Sequence, residues 1–306
     1  MVKVVVLGIA QDGGRPQVGC FKDCCVDLTQ SDMRYPVALG ITGDDGSRRL
    51  VEDGRHLSEQ LSEWRVAWVT CDELYIFNEP IQSVFITHAH FGHIDGLGLF
   101  GRETMSARNV NLHTSSSLSK VITETPNWNL MMEQGVFVPH IFDSGESIST
   151  KGINGENKTG FTVEPVLVPH RAELSDMHAF IIRGASKSLL FLPDHDTWVE
   201  TLEFHQSTDI RAFLLKFKVD IALIDATFFS VDELGKRAGG GDQREVPHPP
   251  VIEQLQALGN RTTDDPMIYF IHMNHTNPLY KEDSMEMKKV LEQGWGVAQQ
   301  GQIFEL

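Results

Sequence analysis

The segment Ser83-Val84-Phe85-Ile86-Thr87-His88-Ala89-His90-Phe91-Gly92-His93-Ile94-Asp95-Gly96 runs an apolar stretch directly into three histidines. Its β-branched and aromatic residues predict a strand over Ser83–Thr87. His88 and His90 stand two apart, and side chains two apart on extended backbone project to the same face. His93 falls where a helix can begin, so its ring can turn back toward the first pair. Neutral imidazoles gathered at a strand end are a common way to hold a transition metal.

The arrangement recurs three times downstream. Val166-Leu167-Val168-Pro169 ends in His170-Arg171-Ala172-Glu173. Leu189–Leu192 leads through Pro193 to Asp194-His195-Asp196, and Met267–Ile271 leads to His272-Met273-Asn274-His275. Strand ends gather at one rim of a sheet, so four such ends in order predict a single convergent site. The other predicted strands are Lys3–Leu7, Pro36–Thr42, Arg49–Val51, Asn111–His113, Phe161–Val168, Ala179–Arg183, Ser188–Leu192 and Ile221–Ile224. Predicted helices are Leu57–Trp64, Leu97–Met105, Ser115–Thr123, Thr197–Phe204, Ile210–Phe217, Pro250–Gln256 and Ser284–Glu292. The Gly-rich polar stretches Gly145–Gly160 and Gly235–Arg244 read as loops. Strands with interspersed helices predict a layered α/β sandwich. No boundary looks like a hinge, so residues 1–306 read as a single domain.

These motifs resemble those of the metallo-β-lactamase-fold superfamily. Thr87-His88-Ala89-His90-Phe91-Gly92-His93 matches its first histidine motif, followed by a later His (His170), a later Asp (Asp194) and a final His (His272). Asp53, after the apolar Leu50-Val51, resembles its early structural Asp. The resemblance implies an αββα sandwich. Within the superfamily, the chain is similar to the coenzyme pyrroloquinoline quinone biosynthesis protein B group. The opening Gly8-Ile9-Ala10-Gln11-Asp12-Gly13-Gly14-Arg15-Pro16-Gln17 carries that likeness. So do Asp225-Ala226-Thr227, Arg244 with Pro247-His248-Pro249, and His275-Thr276-Asn277-Pro278. That group usually has a degraded first histidine motif, whereas His88 and His90 are present here.

By carry-over, His88, His90 and His170 form one metal site. His93 and His272 form a second, and Asp194 bridges the two. The resemblance implies one or two Zn, Mn or Fe ions. Three imidazoles leave the fourth, open position that catalytic zinc sites keep for water. The chain departs from the family at Gly92, where dinuclear members carry an Asp ligand. Asp95 and Asp196 are the nearby acids that could fill the gap. His248 and His195 are read as proton shuttles or substrate donors, and Arg171 and Glu173 as groups that orient His170 or bind an anionic substrate.

Three of the four cysteines, Cys20, Cys24 and Cys25, fall within six residues. Such a cluster in a reducing compartment points to metal rather than disulfides. A phosphodiesterase branch of the superfamily places a structural zinc on an N-terminal Cys cluster and a His three residues beyond the last active-site His. By that resemblance Cys20, Cys24, Cys25 and His275 hold zinc. Cys71 reads as a buried filler.

With 42 acidic against 26 basic residues, the formal net charge is −16. Phosphate backbones and anionic lipid should repel such a chain, which excludes nucleic acid and membrane surfaces as general partners. No apolar stretch reaches the ~18 residues that span a bilayer. The run Val4–Leu7 is too short for a secretion signal. The expectation is a cytoplasmic protein with a small-molecule substrate, monomeric or homodimeric. Three activities fit: a metal-dependent hydrolase whose metal-bound hydroxide attacks a small phosphodiester, lactone or related ester; an Fe-dependent oxygenase or accessory protein of quinone-cofactor biosynthesis; or a metal-binding protein without turnover.

Overall fold

A computed structural model describes residues 1–66, 81–152, 155, 159–171, 173–234 and 247–306. Cys71 and Arg244 lie outside the described residues. The first sheet contains β1 (Lys3–Gly8), β2 (Ala38–Thr42), β3 (Arg48–Val51), β4 (Ile81–Phe85), β5 (Val110–Thr114) and β6 (Phe137–Ile141). The second contains β7 (Thr162–Val168), β8 (Met177–Arg183), β9 (Ser188–Leu192), β10 (Ile221–Asp225), β11 (Met267–Ile271) and β12 (Gly296–Val297). The C-terminal strand β13 (Ile303–Glu305) returns to pair with β1, and the sheet orders are β13-β1-β2-β3-β4-β5-β6 and β12-β11-β10-β9-β8-β7.

Alternation along β1 explains the layering. Val4 and Val6 join the core between the sheets, whereas Val5 and Leu7 face the opposite way. On that outer face they pack with Leu57 and Trp64 of α1 (Leu57–Val66), and with Leu118 and Ile122 further along the chain. A strand buried on both faces must be apolar along its buried length, and Val4–Leu7 of β1 are. Gly40 of β2 lets Trp64 pack flat on the sheet: a Cβ there would lie 2.6 Å from the indole. The main core is rich in phenylalanine, with Phe85, Phe180, Phe191, Phe213 and Phe270 fully buried. Each such ring contributes about 1.5–3 kcal/mol of burial free energy.

Strands β3 to β6 run parallel, as do β9 to β12. Strand β7 is antiparallel to β8, and β8 to β9, so β7 runs in the same sense as β9. The C-terminal ends of β7, β9, β10 and β11 therefore share one rim of the second sheet, and those of β3 and β4 share one rim of the first.

Among the described residues, pattern reading missed α4 (Pro126–Glu133) and the strands β6, β12 and β13, besides several one-turn helical segments. Strand β6 is an exposed edge containing Pro139, which an edge tolerates because no neighbour needs its missing N–H. Trp128, Met131 and Met132 of α4 pack on the outer core. The predicted α-helix Leu97–Met105 is a 3-10 stretch over Asp95–Phe100. Gly96, Gly98 and Gly101 interrupt the segment and penalise a regular helix.

Candidate metal centre

The first histidine motif leaves β4 in extended form and then makes the short helix α2 (Phe91–Ile94), with the His93 N–H donating to the His90 carbonyl at 3.0 Å. His88 Nε2 lies 2.9 Å from His90 Nδ1, and His170 Nε2 lies 3.2 Å from the same atom. Asp194 Oδ2 faces this trio, 3.5 Å from His88 Nε2 and 3.4 Å from His170 Nε2. Four potential ligand atoms thus converge in a largely buried pocket.

Outer partners set which nitrogen each ring presents. His170 Nδ1 lies 2.9 Å from Asp196 Oδ1, and an ionised carboxylate only accepts, so this nitrogen carries the proton. Thr87 donates its hydroxyl to Glu52 at 2.5 Å and so accepts from His88 Nδ1 at 2.8 Å. Both Nε2 lone pairs are left pointing inward. Glu173 Oε2 stands 3.4 Å from His90 Nε2 and leaves Nδ1 for the trio. These contacts supply the carboxylate-histidine support that holds metal ligands in one orientation. Glu173 therefore serves His90 rather than His170, and Arg171 contributes its backbone N–H to Asp196 at 3.3 Å.

A second donor set contains a residue that the histidine pattern did not reveal. Asp12 joins His93 and His272, with Oδ1 3.4 Å from His93 Nε2 and 3.8 Å from His272 Nε2. All three atoms are buried and lack a hydrogen-bond partner among the described residues. Three unpaired ligand atoms facing one point fit a bound cation, because buried polar groups otherwise find partners. His93 Nδ1 lies 3.1 Å from Glu52 Oε1 on its outer side. His272 Nδ1 lies 2.9 Å from Thr227 Oγ1, which donates to Asp225 at 2.8 Å. A threonine–carboxylate pair therefore backs one histidine of each set. Burial works against a charged His93 ring, yet Glu52 and Asp12 outweigh it and hold its pKa well above the ordinary value.

Asp12 occupies the space that the Gly92 side chain would take. A Cβ on Gly92 would lie 2.3 Å from the Asp12 Cα and 2.5 Å from its Oδ1. A carboxylate from another loop thus lies where a side chain at position 92 would stand. Asp95 and Asp196 do not fill the gap: Asp95 pairs with Arg55 at 3.5 Å, and Asp196 supports His170. The turn Gln11–Gly14 fixes Asp12, with the Gly14 N–H donating to Gln11 at 2.8 Å. The Gln11 N–H donates to the Met273 carbonyl at 2.9 Å, which locks the turn beside His272. His272 itself adopts φ +65°, a strained conformation that costs about 1–3 kcal/mol and aims the ring inward.

Asp194 turns Oδ2 toward the trio and Oδ1 toward His248 Nδ1 at 3.0 Å, and Asp194, His248 and His272 offer ligand atoms within 4.8 Å of one another, which links the trio to one histidine of the second set. His248 Nδ1 also lies 2.7 Å from Asp225 Oδ2. Burial would lower the His248 pKa, but these two carboxylates raise it to about 10. His195 is not brought to the site, which corrects its reading as a proton shuttle. Neighbours on extended backbone face opposite sides, so Asp194 and Asp196 turn toward the histidines. The His195 ring is fully buried edge-on to Trp198, 4.8 Å between centroids, and neither ring nitrogen has a partner. Asp53 is wholly buried, its backbone N–H donating to the His93 carbonyl at 3.0 Å. The adjoining Glu52 is the residue that touches the site side chains.

The cysteine loop forms a separate cluster. One ligand atom from each of Cys20, Cys24, Cys25 and His275 lies within 4.8 Å of the others. Neighbouring sulfurs are 3.8 Å (Cys20–Cys24) and 3.9 Å (Cys24–Cys25) apart. A tetrahedron with ~2.3 Å Zn–S bonds has edges of about 3.8 Å. His275 Nδ1 is buried without a partner. Burial and then the neighbouring thiols push Cys24 up to about 12. A cation reverses that order by drawing the thiolates to itself. Between this cluster and Asp12 opens a cavity of about 380 Å³, whose walls include Asp12, Lys22, Phe228, Glu233 and Asn274.

The isosteric change Thr227→Val should leave the fold intact but release His272 from its outer partner. Metal affinity is then expected to fall about 10–100-fold, read by competition with a chromogenic chelator. An unchanged affinity would remove Thr227 from the support of the site.

Residues 74–291 match the family described as Beta-lactamase superfamily domain, and the chain belongs to that superfamily. It is 27% identical to coenzyme PQQ synthesis protein B of Gluconobacter oxydans (strain 621H) over 323 residues, covering 100% of this chain and 99% of that protein. Among solved structures it resembles Zn(2+)-bound PqqB from Methylobacterium extorquens, with a TM-score of 0.73, 20% identity and coverage of 99% and 100% of the two chains. It also resembles a diphosphatase of the PhnP family, with a TM-score of 0.63, 20% identity and coverage of 100% and 97%.

Proposed function

We propose that the protein is a metal-dependent hydrolase of a small phosphodiester, lactone or related ester. The observation that carries this reading is the pair of inward-facing donor sets joined at Asp194, with His248 beside them. His88, His90, His170 and Asp194 would hold one metal, and Asp12, His93, His272 and Asp194 a second. Zn, Mn or Fe all suit these donors. Bound there, a divalent metal supplies a Lewis acid and lowers the pKa of its water to about 7. His248 acts as the proton donor: Nδ1 is engaged by Asp225 and Asp194. Nε2 is then the nitrogen left to protonate a leaving oxygen. The cavity beside Asp12 holds the rest of the substrate. Lys22 offers its wall a cation, and burial raises the Glu233 carboxyl there to about 6.

The test uses leaving groups of different basicity with protein loaded with Zn(II) or Mn(II). Bis-p-nitrophenyl phosphate and p-nitrophenyl acetate should turn over, and His90→Ala should abolish both reactions. His248→Asn should lower kcat by about 10²–10³ for an alkyl ester. It should matter little for p-nitrophenolate, which departs without a proton. Absence of turnover across both substrate classes with either metal would overturn the reading.

A second reading, iron-dependent oxidation, is favoured by the Asp12–His93–His272 set. Two histidines and one carboxylate suit Fe(II) and oxygen chemistry, and the relatives named above are proteins of coenzyme PQQ synthesis. Oxygen uptake by Fe(II)-loaded protein with tyrosine-derived peptides, without esterase activity, would place this reading first.

A further inference from the structure

Away from the metal centre, a second cavity of about 320 Å³ lies between strands β4–β6 and the segment 146–151. Strand register builds its floor. Ser83 pairs across the sheet with Arg49 and Asn111, and the next row carries Phe85, His113 and His140. The three rings of that row form a stack, Phe85 on His113 at 4.2 Å and His113 on His140 at 5.0 Å.

The geometry points to a second ligand site in this cavity, one that takes a small oxyanion through Lys151, Ser83 and the His113–His140 stack. Two lining side chains are more than nine-tenths buried and leave a polar atom without a partner among the described residues, Ser83 Oγ and His113 Nε2. Arg49 stands directly behind the wall, fully buried. It donates to the Thr150 hydroxyl at 3.0 Å and to the Lys151 carbonyl at 2.5 Å. Among the described residues its Nη1 has no hydrogen-bond partner. Burial pulls its pKa to about 10, which leaves it a cation at neutral pH. Among the described residues, Glu146 is the one acid lining the cavity. It is turned toward its own loop, accepting from the Asp143 N–H at 3.3 Å. A buried cation is costly unless it is well paired, and Asp45 is the one carboxylate whose charge favours the Arg49 cation among the described residues. An anion in the adjoining cavity offsets that cost, while the open hydroxyl supplies a directed hydrogen bond.

The shared chemistry is an oxyanion, and phosphate and citrate distinguish a phosphoryl from a carboxylate source. With full-length protein, either probe should raise Tm saturably, and in the His90→Ala protein, whose metal centre is altered, isothermal titration should still show one site. Binding to a ligand-competent native state raises apparent stability by mass action. Lys151→Ala, an exposed change with no expected folding defect, should weaken binding at least tenfold. Ser83→Ala should weaken it as well. His90→Ala, which alters the metal centre, should leave it unchanged. The proposal is overturned if neither probe binds saturably, if Lys151→Ala binds as well as the parent, or if His90→Ala abolishes the effect and so assigns the anion to the metal centre.

Discussion

Asp12→Ala is expected to remove one metal ion per chain and to lower kcat/KM by about 10²–10³. The lost ion is worth several kcal/mol of transition-state stabilisation, and each 1.36 kcal/mol is a factor of ten. The His88–His90–His170 set stays intact, so the second metal equivalent should remain in elemental analysis. Gly92→Asp provides the companion test. Position 92 is where the family keeps its carboxylate, so this change looks like a repair. The structure makes it a clash, because the new Cβ would meet the backbone of Asp12 at 2.3 Å. The expected outcome is a destabilisation of about 3 kcal/mol, typical of overpacking, with no gain in metal content or turnover. A Gly92→Asp protein that melted like the parent and gained activity would show that Asp12 does not stand in for the missing ligand.

Cys24→Ser should have the second large effect. The variant is expected to lose one zinc equivalent and about 4 kcal/mol or more of stability, since a structural metal contributes directly to folding. Activity should fall as well, although no cysteine lies in the two histidine sets. The cysteine loop begins at the turn that carries Asp12, and His275 lies three residues beyond His272. Releasing the cluster therefore loosens two ligands of one donor set, Asp12 and His272. Chelator treatment should separate the sites in the opposite order: the open histidine sites empty first, while the closed Cys/His site keeps its ion. Elemental analysis during dialysis and a thermal melt at each stage measure both effects. If Cys24→Ser retained its zinc and its Tm, the cluster would be an ordinary thiol-rich turn.

Most of the framework was legible from local pattern. Strands β7, β9 and β11 end in His170, Asp194 and His272, and β4 leads to His88, because period-two apolar runs and their terminators are properties of neighbouring residues. The threefold cysteine cluster was legible for the same reason, and its partner His275 through resemblance. The edge strands β6, β12 and β13 were not. β12 and β13 are very short, β6 is a largely exposed strand that contains a proline, and only pairing with a distant strand makes them strands at all. His195 and His248 looked equivalent as loop histidines. Backbone alternation turns one into the core, and the chain's return before the helix Val251–Leu258 brings the other against Asp194 and Asp225.

The sequence alone determined which chemistry the site has, because imidazole, carboxylate and thiolate are residue types and strand ends bring them to a rim. It also showed that a carboxylate was missing at Gly92. Which residue replaces it was decided only by tertiary structure. Asp12 and Gly92 are far apart along the chain, and nothing local to either encodes the other. Their contact depends on the Gln11–Met273 pairing and on a glycine small enough for the turn to close over it. The anion cavity has the same origin: Arg49, Ser83 and Asn111 become neighbours only through strand register, which a one-residue slip would destroy.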